Sequence, residues 1–162
     1  GLMVATGCLT MQLATRSIEY HIVAGIAASF ALGVALMESG AATMIGHGLV
    51  SIAGDNPWLA LAALYITTMI VTEIITNNAA GVLMLPIALS VADHAGVSYM
   101  PFVVAVMVAA SCGFTTPMGY QTNLMVYGPG GYRFMDFVRF GMPLNIICCV
   151  ISITILPRVW PF

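Results

Sequence analysis

Two long apolar runs, 57–71 and 79–92, are separated by a polar interruption, Thr72-Glu73-Ile74-Ile75-Thr76-Asn77-Asn78. Runs of this apolarity cannot be left in water. In lipid, a non-helical, amide-bearing turn is tolerated only where it faces protein or a water-filled cavity. The interruption is therefore either a solvent-exposed loop joining two membrane helices or the tip of a helical hairpin buried at a binding site. Composition sets the surroundings: of 162 residues, 60% are hydrophobic and 6% charged, and the mean hydropathy is +1.02. A soluble domain carries roughly 25% charged residues, so this chain cannot cover a globular surface with polar groups. It reads as an all-α integral membrane protein, multi-pass, with lipid as its first partner.

Charge and cysteine exclude several functions. The net charge is −2, Lys is absent, and the arginines are Arg16, Arg133, Arg139 and Arg158. No basic stripe exists to neutralise phosphates, which argues against a nucleic-acid partner. Cys8, Cys112, Cys148 and Cys149 show no ligand spacing and read as small apolar residues, so zinc is not expected. Nor is an organic cofactor. No nucleophile stands with a base, so the chain is not read as an enzyme. It opens inside an apolar phrase, Gly1-Leu2-Met3-Val4-Ala5, without an initiator Met or a basic leader. We therefore expect a fragment with its N-terminal part upstream.

In order, 1–9 reads as the tail of a helix and Thr10–Tyr20, with Arg16 and Glu19, as a connection. Residues 21–38 are a spanning candidate of about 27 Å. Residues 41–53, with Gly46, His47 and Gly48, read as a broken or interfacial helix, its glycines suited to close helix packing. Gly54-Asp55-Asn56-Pro57 is a turn with Pro at a helix start. Residues 57–93 form the two arms around the interruption. Residues 101–127 form a broken helix, because 113–123 is too polar to face lipid. Gly128-Pro129-Gly130-Gly131 is a hard turn. Residues 132–140 read as a short amphipathic helix in which Arg133 and Asp136 could pair at i,i+3. Residues 141–157 are the last transmembrane helix. Arg133 and Arg139 precede that span, which puts 128–140 in the cytoplasm and both ends of the two arms outside, at Asp55 and Asp93.

Thr67, Thr68, Thr72 and Glu73 gather before the interruption, as on an arm entering a polar cavity, and the tip carries no Lys or Arg. Both features favour a buried, re-entrant hairpin. Interrupted helices supply side-chain oxygens, freed carbonyls and helix N-termini, which suit a small hard cation and an anion at the membrane midplane. Plainer readings stand beside this one. Asn77 and Asn78 suit helix capping, and Thr115, Thr116 and Pro117 suit a proline-kinked helix whose hydroxyls repair the backbone. Glu73, an intramembrane carboxylate, is functional by default. It either pairs with a group outside this chain, stays protonated, or accepts hydrogen bonds that support the tip; direct ion ligation ranks behind these. His21, His47 and His94 read as ordinary residues near the membrane surface.

Thr72-Glu73-Ile74-Ile75-Thr76-Asn77-Asn78-Ala79-Ala80, with Leu85-Pro86-Ile87-Ala88, resembles the hairpin signature of the divalent anion:sodium symporters, the sodium–sulfate and sodium–dicarboxylate carriers of the wider ion transporter superfamily. Thr115-Thr116-Pro117-Met118-Gly119-Tyr120-Gln121-Thr122-Asn123 and its continuation to Tyr132 resemble the second signature, especially in bacterial sulfate-permease-like members. The resemblance implies the second of two inverted repeats of an elevator-type transporter, a single transmembrane domain over 1–162. It further implies a missing N-terminal repeat and a homodimeric full-length protein. Carried over by position, Thr72, the Ile75 carbonyl, Asn77 and the Thr115 backbone would hold Na⁺, the coupling ion. Thr76, Asn77, Asn78, Thr116 and Pro117 would line the substrate anion. The family's usual tip is Ser-Asn-Thr. Here it is Thr76-Asn77-Asn78, which makes sulfate or another small oxyanion a better expectation than a dicarboxylate.

The expected function is sodium-coupled symport of a small divalent anion. Two alternatives are a cation/proton antiporter or arsenite-type exporter of the same superfamily, in which Glu73 titrates, and a non-transporting structural membrane subunit.

Overall fold

Several helix ends in this chain fall at a capping side chain or a left-handed glycine, as at Asn56 and Gly96. The computed structural model describes residues 2–8, 10–16, 20–54 and 56–162; Glu19 and Asp55, and the side chains of Arg16, His21 and Gln121, lie outside the described residues. Two short helices, α1 (Leu2–Ala5) and α2 (Met11–Arg16), come first. The expected connection over Thr10–Tyr20 is thus partly helical. Met, Gln, Leu, Ala and Arg in Met11–Arg16 are all good helix formers. The spanning candidate appears as α3 (Tyr20–Glu38).

Next, α4 (Ala41–Ala53) is one continuous helix, which removes the broken alternative and leaves the interfacial one. Gly46 does not interrupt it. A Cβ there would lie 2.7 Å from the Ser90 hydroxyl, so its glycine lets α4 close on the following hairpin, whereas Gly48 faces open space. A hydrophobic interior requires this close approach more than it requires a helix end.

The hairpin arms are α5 (Pro57–Ile74) and α6 (Asn77–Ala95). Asn56 opens α5, its side chain accepting the Trp58 N–H at 3.0 Å, with Pro57 in the first turn. Gly96, at φ 65°, closes α6. Then come α7 (Met100–Ala110), α8 (Gln121–Tyr127) and α9 (Phe134–Val159). Two elements expected around residue 141 are a single helix of 26 residues. Its internal Pro143 sits in an apolar helix, where prolines are tolerated. Asp136 meets the backbone N–H of Arg133 at 2.7 Å, so the expected i,i+3 partnership is a helix cap.

Among the described residues, α5, α6 and α9 are long and apolar enough to cross a membrane, and no strand occurs. Leu61, Leu64 and Tyr65 of α5, Val91 of α6, and Phe102 and Val106 of α7 are buried in the common core. Along α9, Ile146, Ile147, Val150, Ile151 and Ile155 remain about half exposed, a face suited to lipid or protein but not to water. Phe162 places three helix ends together, its ring lying 5.8 Å from Trp58 and 5.9 Å from Phe102. The starts of α5 and α7 and the end of α9 therefore share one side, and Arg133 and Arg139 stand at the other end of α9. His47 and His94 touch, ring centroids 3.5 Å apart, and both are exposed.

Candidate functional site

At the hairpin tip the chain turns through two extended residues. Ile75 (φ −118°, ψ 170°) ends α5, and Thr76 (φ −64°, ψ 146°) precedes α6. That geometry projects the last turn of α5, with Thr72 and Glu73, toward the ten-residue gap between α7 and α8 (111–120). A broken helix frees backbone groups that must find partners when buried. Here the partners are side chains. The Thr72 hydroxyl donates to the Ala110 carbonyl at 2.7 Å, tying α5 to the end of α7. Glu73 Oε1 accepts the Thr115 N–H and Oε2 the Thr116 N–H, both at 2.8 Å. The Thr116 hydroxyl donates to the Glu73 carbonyl at 3.1 Å and accepts the Gly119 N–H at 3.0 Å. From α8, the Asn123 amide donates to the carbonyls of Gly113 (2.9 Å) and Thr116 (3.2 Å).

Close backbone approach is required at three glycines. A Cβ on Gly113 would lie 2.8 Å from the Gly119 carbonyl, and one on Gly119 would lie 2.9 Å from Glu73 Oε2. At Gly141 of α9, the Phe114 carbonyl occupies the place a Cβ would take, 2.0 Å away. The last helix therefore lies directly on the loop.

One residue of this cluster escaped sequence reasoning. Asn145 of α9 is 2% exposed, and its Nδ2 donates to Glu73 Oε1 at 3.0 Å and to the Thr115 hydroxyl at 2.7 Å. The signal was a single amide within an otherwise apolar span, a placement that is costly in lipid. Asn145 comes eleven residues after Phe134 and fourteen before Val159, or about 17 and 21 Å along the helix axis. The polar cluster thus lies near mid-height of α9.

The residues expected to bind ligands are brought into one neighbourhood, though not all into contact. Thr72 and Pro117 are buried; Ile75, Asn77, Thr115 and Thr116 are half-buried; Thr76 and Asn78 are exposed. Asn77 and Asn78 line a cavity of about 420 Å³ with Gly81, Ala110 and Ser111. Among the described residues no hydrogen bond joins Thr76–Asn78 to 115–117; the connection runs through Thr72 and Glu73. Nor do the asparagines cap α6. Thr76 holds the capping position without a side-chain bond, and Asn77 Oδ1 accepts the neighbouring Asn78 N–H at 3.0 Å. The proline-kink reading of 115–117 is replaced by a full break, because Glu73 takes the N–H groups that a continuing helix would have used. Hydroxyl, amide and carbonyl oxygens dominate the site, a donor set that suits a hard cation.

Comparison with known proteins agrees with these features. The profile of a family described as Citrate transporter (CitMHS) matches residues 1–160. The chain is 39% identical over 159 residues to a probable sodium/sulfate cotransporter 3 of Chlamydomonas reinhardtii, covering 96% of this chain and 18% of that protein. It is 44% identical over 146 residues to an uncharacterized transporter of Synechocystis, covering 90% and 24%. With the uncharacterized transporter YfbS of Escherichia coli it shares 36% identity over 156 residues, 96% of this chain and 26% of that one. The chain therefore spans about a fifth to a quarter of the length of these relatives.

Proposed function

The chain belongs to the citrate transporter family, a family of multi-pass membrane transporters and not of enzymes, and from that membership we infer that it builds half of the ion pathway of a secondary active carrier. The carrier is a sodium-coupled symporter of a small divalent anion, with sulfate or a similar oxyanion as cargo. The observation that carries this reading is the polar join of hairpin tip, broken helix and Asn145, which lies inside the part of α9 read as crossing the membrane. Non-helical backbone at that depth is sustained only beside protein or a water-filled cavity, and carriers bind their cargo at such interrupted helices.

Charge supports the coupling. Between 57 and 127 the chain has no Lys or Arg, while Glu73 stands beside the tip. A dianion there would find in its favour only roughly half a positive charge from the α6 N-terminus. In surroundings of low dielectric that is too little to hold two negative charges. Bound Na⁺ adds positive charge there. On this reading Thr72, the Ile75 carbonyl, Asn77 and the Thr115 backbone hold the cation, and Thr76, Asn77, Asn78, Thr116 and Pro117 line the anion. The hairpin 57–93 is re-entrant, the broken helix is 101–127, and 141–157 is the membrane-crossing part of α9. The chain forms the second of two inverted repeats, which move as an elevator within a homodimer. The carbonyl and hydroxyl donors are ordered by Na⁺ before the anion arrives, and the two ligands raise each other's affinity.

The test is uptake of radiolabelled sulfate by proteoliposomes of the full-length carrier across a series of Na⁺ concentrations. Uptake should saturate in both ions, and Asn77→Ala should raise the half-saturating Na⁺ concentration by about tenfold, the equivalent of one lost charge-assisted contact. Sulfate uptake that ignores Na⁺ sinks the symport reading. An unchanged Na⁺ requirement in Asn77→Ala removes that residue from the cation site.

A further inference from the structure

We propose that Glu73 and Asn145 act as a positioning pair that aims the Thr115 carbonyl and thereby sets cation affinity, without either side chain touching the cargo. The proposal rests on the symporter reading above and assigns to it two residues outside the expected ligand set.

The geometry begins with the peptide bond. In a trans, planar peptide the C=O points opposite to the N–H. The Thr115 N–H shares its peptide unit with the Phe114 carbonyl, and the Thr116 N–H shares its unit with the Thr115 carbonyl. Glu73 holds both N–H groups, one on each carboxylate oxygen, at 2.8 Å. Both carbonyls are consequently turned away from Glu73. The Phe114 carbonyl reaches the surface of α9 at Gly141, where a Cβ would lie 2.0 Å from it. The Thr115 carbonyl, in the next unit, is the atom assigned above to the cation. Its direction is thus an outcome of what Glu73 grips.

Asn145 then fixes Glu73. Its amide reaches Oε1 at 3.0 Å and the Thr115 hydroxyl at 2.7 Å, so one NH₂ group spans both ends of the linkage. A residue present only to fill space would be apolar here. Instead Asn145 is buried, and its Oδ1 has no hydrogen-bond partner. An unpaired buried acceptor is destabilising, and Leu, of similar volume, would avoid it. What Leu cannot supply is the NH₂ bridge. The bridge also makes α9 a third wall of the site, so movement of the last helix against the loop would alter the carbonyl that meets the cation.

Two readouts test the pair in the full-length carrier, using Glu73→Gln, Asn145→Leu and the double variant. The first is amide hydrogen exchange over 113–119 in the purified protein, which reports whether the loop is held. The second is the Na⁺ dependence of sulfate uptake, measured beside the sulfate KM at saturating Na⁺. Glu73→Gln keeps one acceptor but presents an NH₂ to the second backbone N–H. Asn145→Leu removes the bridge and leaves the core filled. Each single variant should speed exchange over 113–119 and raise half-saturating Na⁺ by about tenfold, leaving the sulfate KM at saturating Na⁺ within about twofold. The double variant should be little worse than either single one, because both act on one linkage.

Exchange and Na⁺ dependence both unchanged in the single variants would overturn the pair while leaving the symporter reading intact. So would faster exchange accompanied by a shifted sulfate KM and a constant Na⁺ requirement. Wild-type uptake indifferent to Na⁺ would instead remove the symporter reading, and the pair's assigned role with it.

Discussion

Gly141 shows how far one hydrogen in place of a methyl group can matter. Its position beneath the Phe114 carbonyl leaves no room for Cβ, and the obstacle is backbone, which cannot swing aside as a flexible side chain would. Gly141→Ala should therefore destabilise the protein by roughly 1–3 kcal/mol, seen as a lower apparent melting temperature of the detergent-solubilised carrier. Gly48→Ala is the contrasting case. That glycine is helical with nothing within 4 Å, so the same measurement should show no loss and even a gain of up to roughly 1 kcal/mol from helix propensity. Thr72 is fully buried, and its hydroxyl serves the Ala110 carbonyl. Thr72→Val should lose about 1–3 kcal/mol by leaving that carbonyl unpaired, while Thr72→Ser should stay close to wild type. A melt in which Val equals Ser would show that the bond contributes nothing.

The helices divide into those whose ends are held by local capping and those interrupted by long-range bonds. At the start of α5 the cap is local: the Asn56 side chain takes the Trp58 N–H at 3.0 Å. Asn56→Ala should cost about 1 kcal/mol and speed amide exchange only in the first turn of α5, leaving the tip 72–78 as protected as before. The end of α7 combines both kinds. The Ser111 hydroxyl donates to the Met107 carbonyl at 2.9 Å, while Thr72, Glu73 and Asn123 take up backbone groups of 110–116 from two other helices. For this reason the break over 111–120 was legible from the polar stretch 113–123, but its partners were not. The continuity of α4 and α9 was not legible for a related reason. Gly46 and Gly141 are helical and serve close approach to Ser90 and Phe114, a purpose that depends on what packs against them.

Across the whole molecule, Phe162 gathers the ends of α5, α7 and α9 on one side, and the polar cluster lies further along α9 at Asn145. If Na⁺ and the anion share this site, thermodynamic linkage makes their effects reciprocal. Equilibrium binding to the full-length carrier should show saturating Na⁺ lowering the sulfate dissociation constant by the same factor that saturating sulfate lowers that of Na⁺. Unequal factors would mean that the two measurements do not report one coupled site.

Membrane residence, the helical class and the family were legible in the chain itself. Apolar runs long enough to span lipid must form helices, and the polar stretches 72–78 and 113–123 stand out against them. The likeness of those two stretches to known carriers led to the family that the comparison bears out. The folded protein alone disclosed Asn145 as a member of the cluster and the connection of 72–73 to 110–116. Its bonds to Glu73 join residues 72 positions apart, and a lone amide in an apolar helix carries no periodic signal of what it faces. Hydrophobicity is additive along a chain and can be read one residue at a time; a hydrogen bond between distant helices exists only once packing has brought its donor and acceptor together.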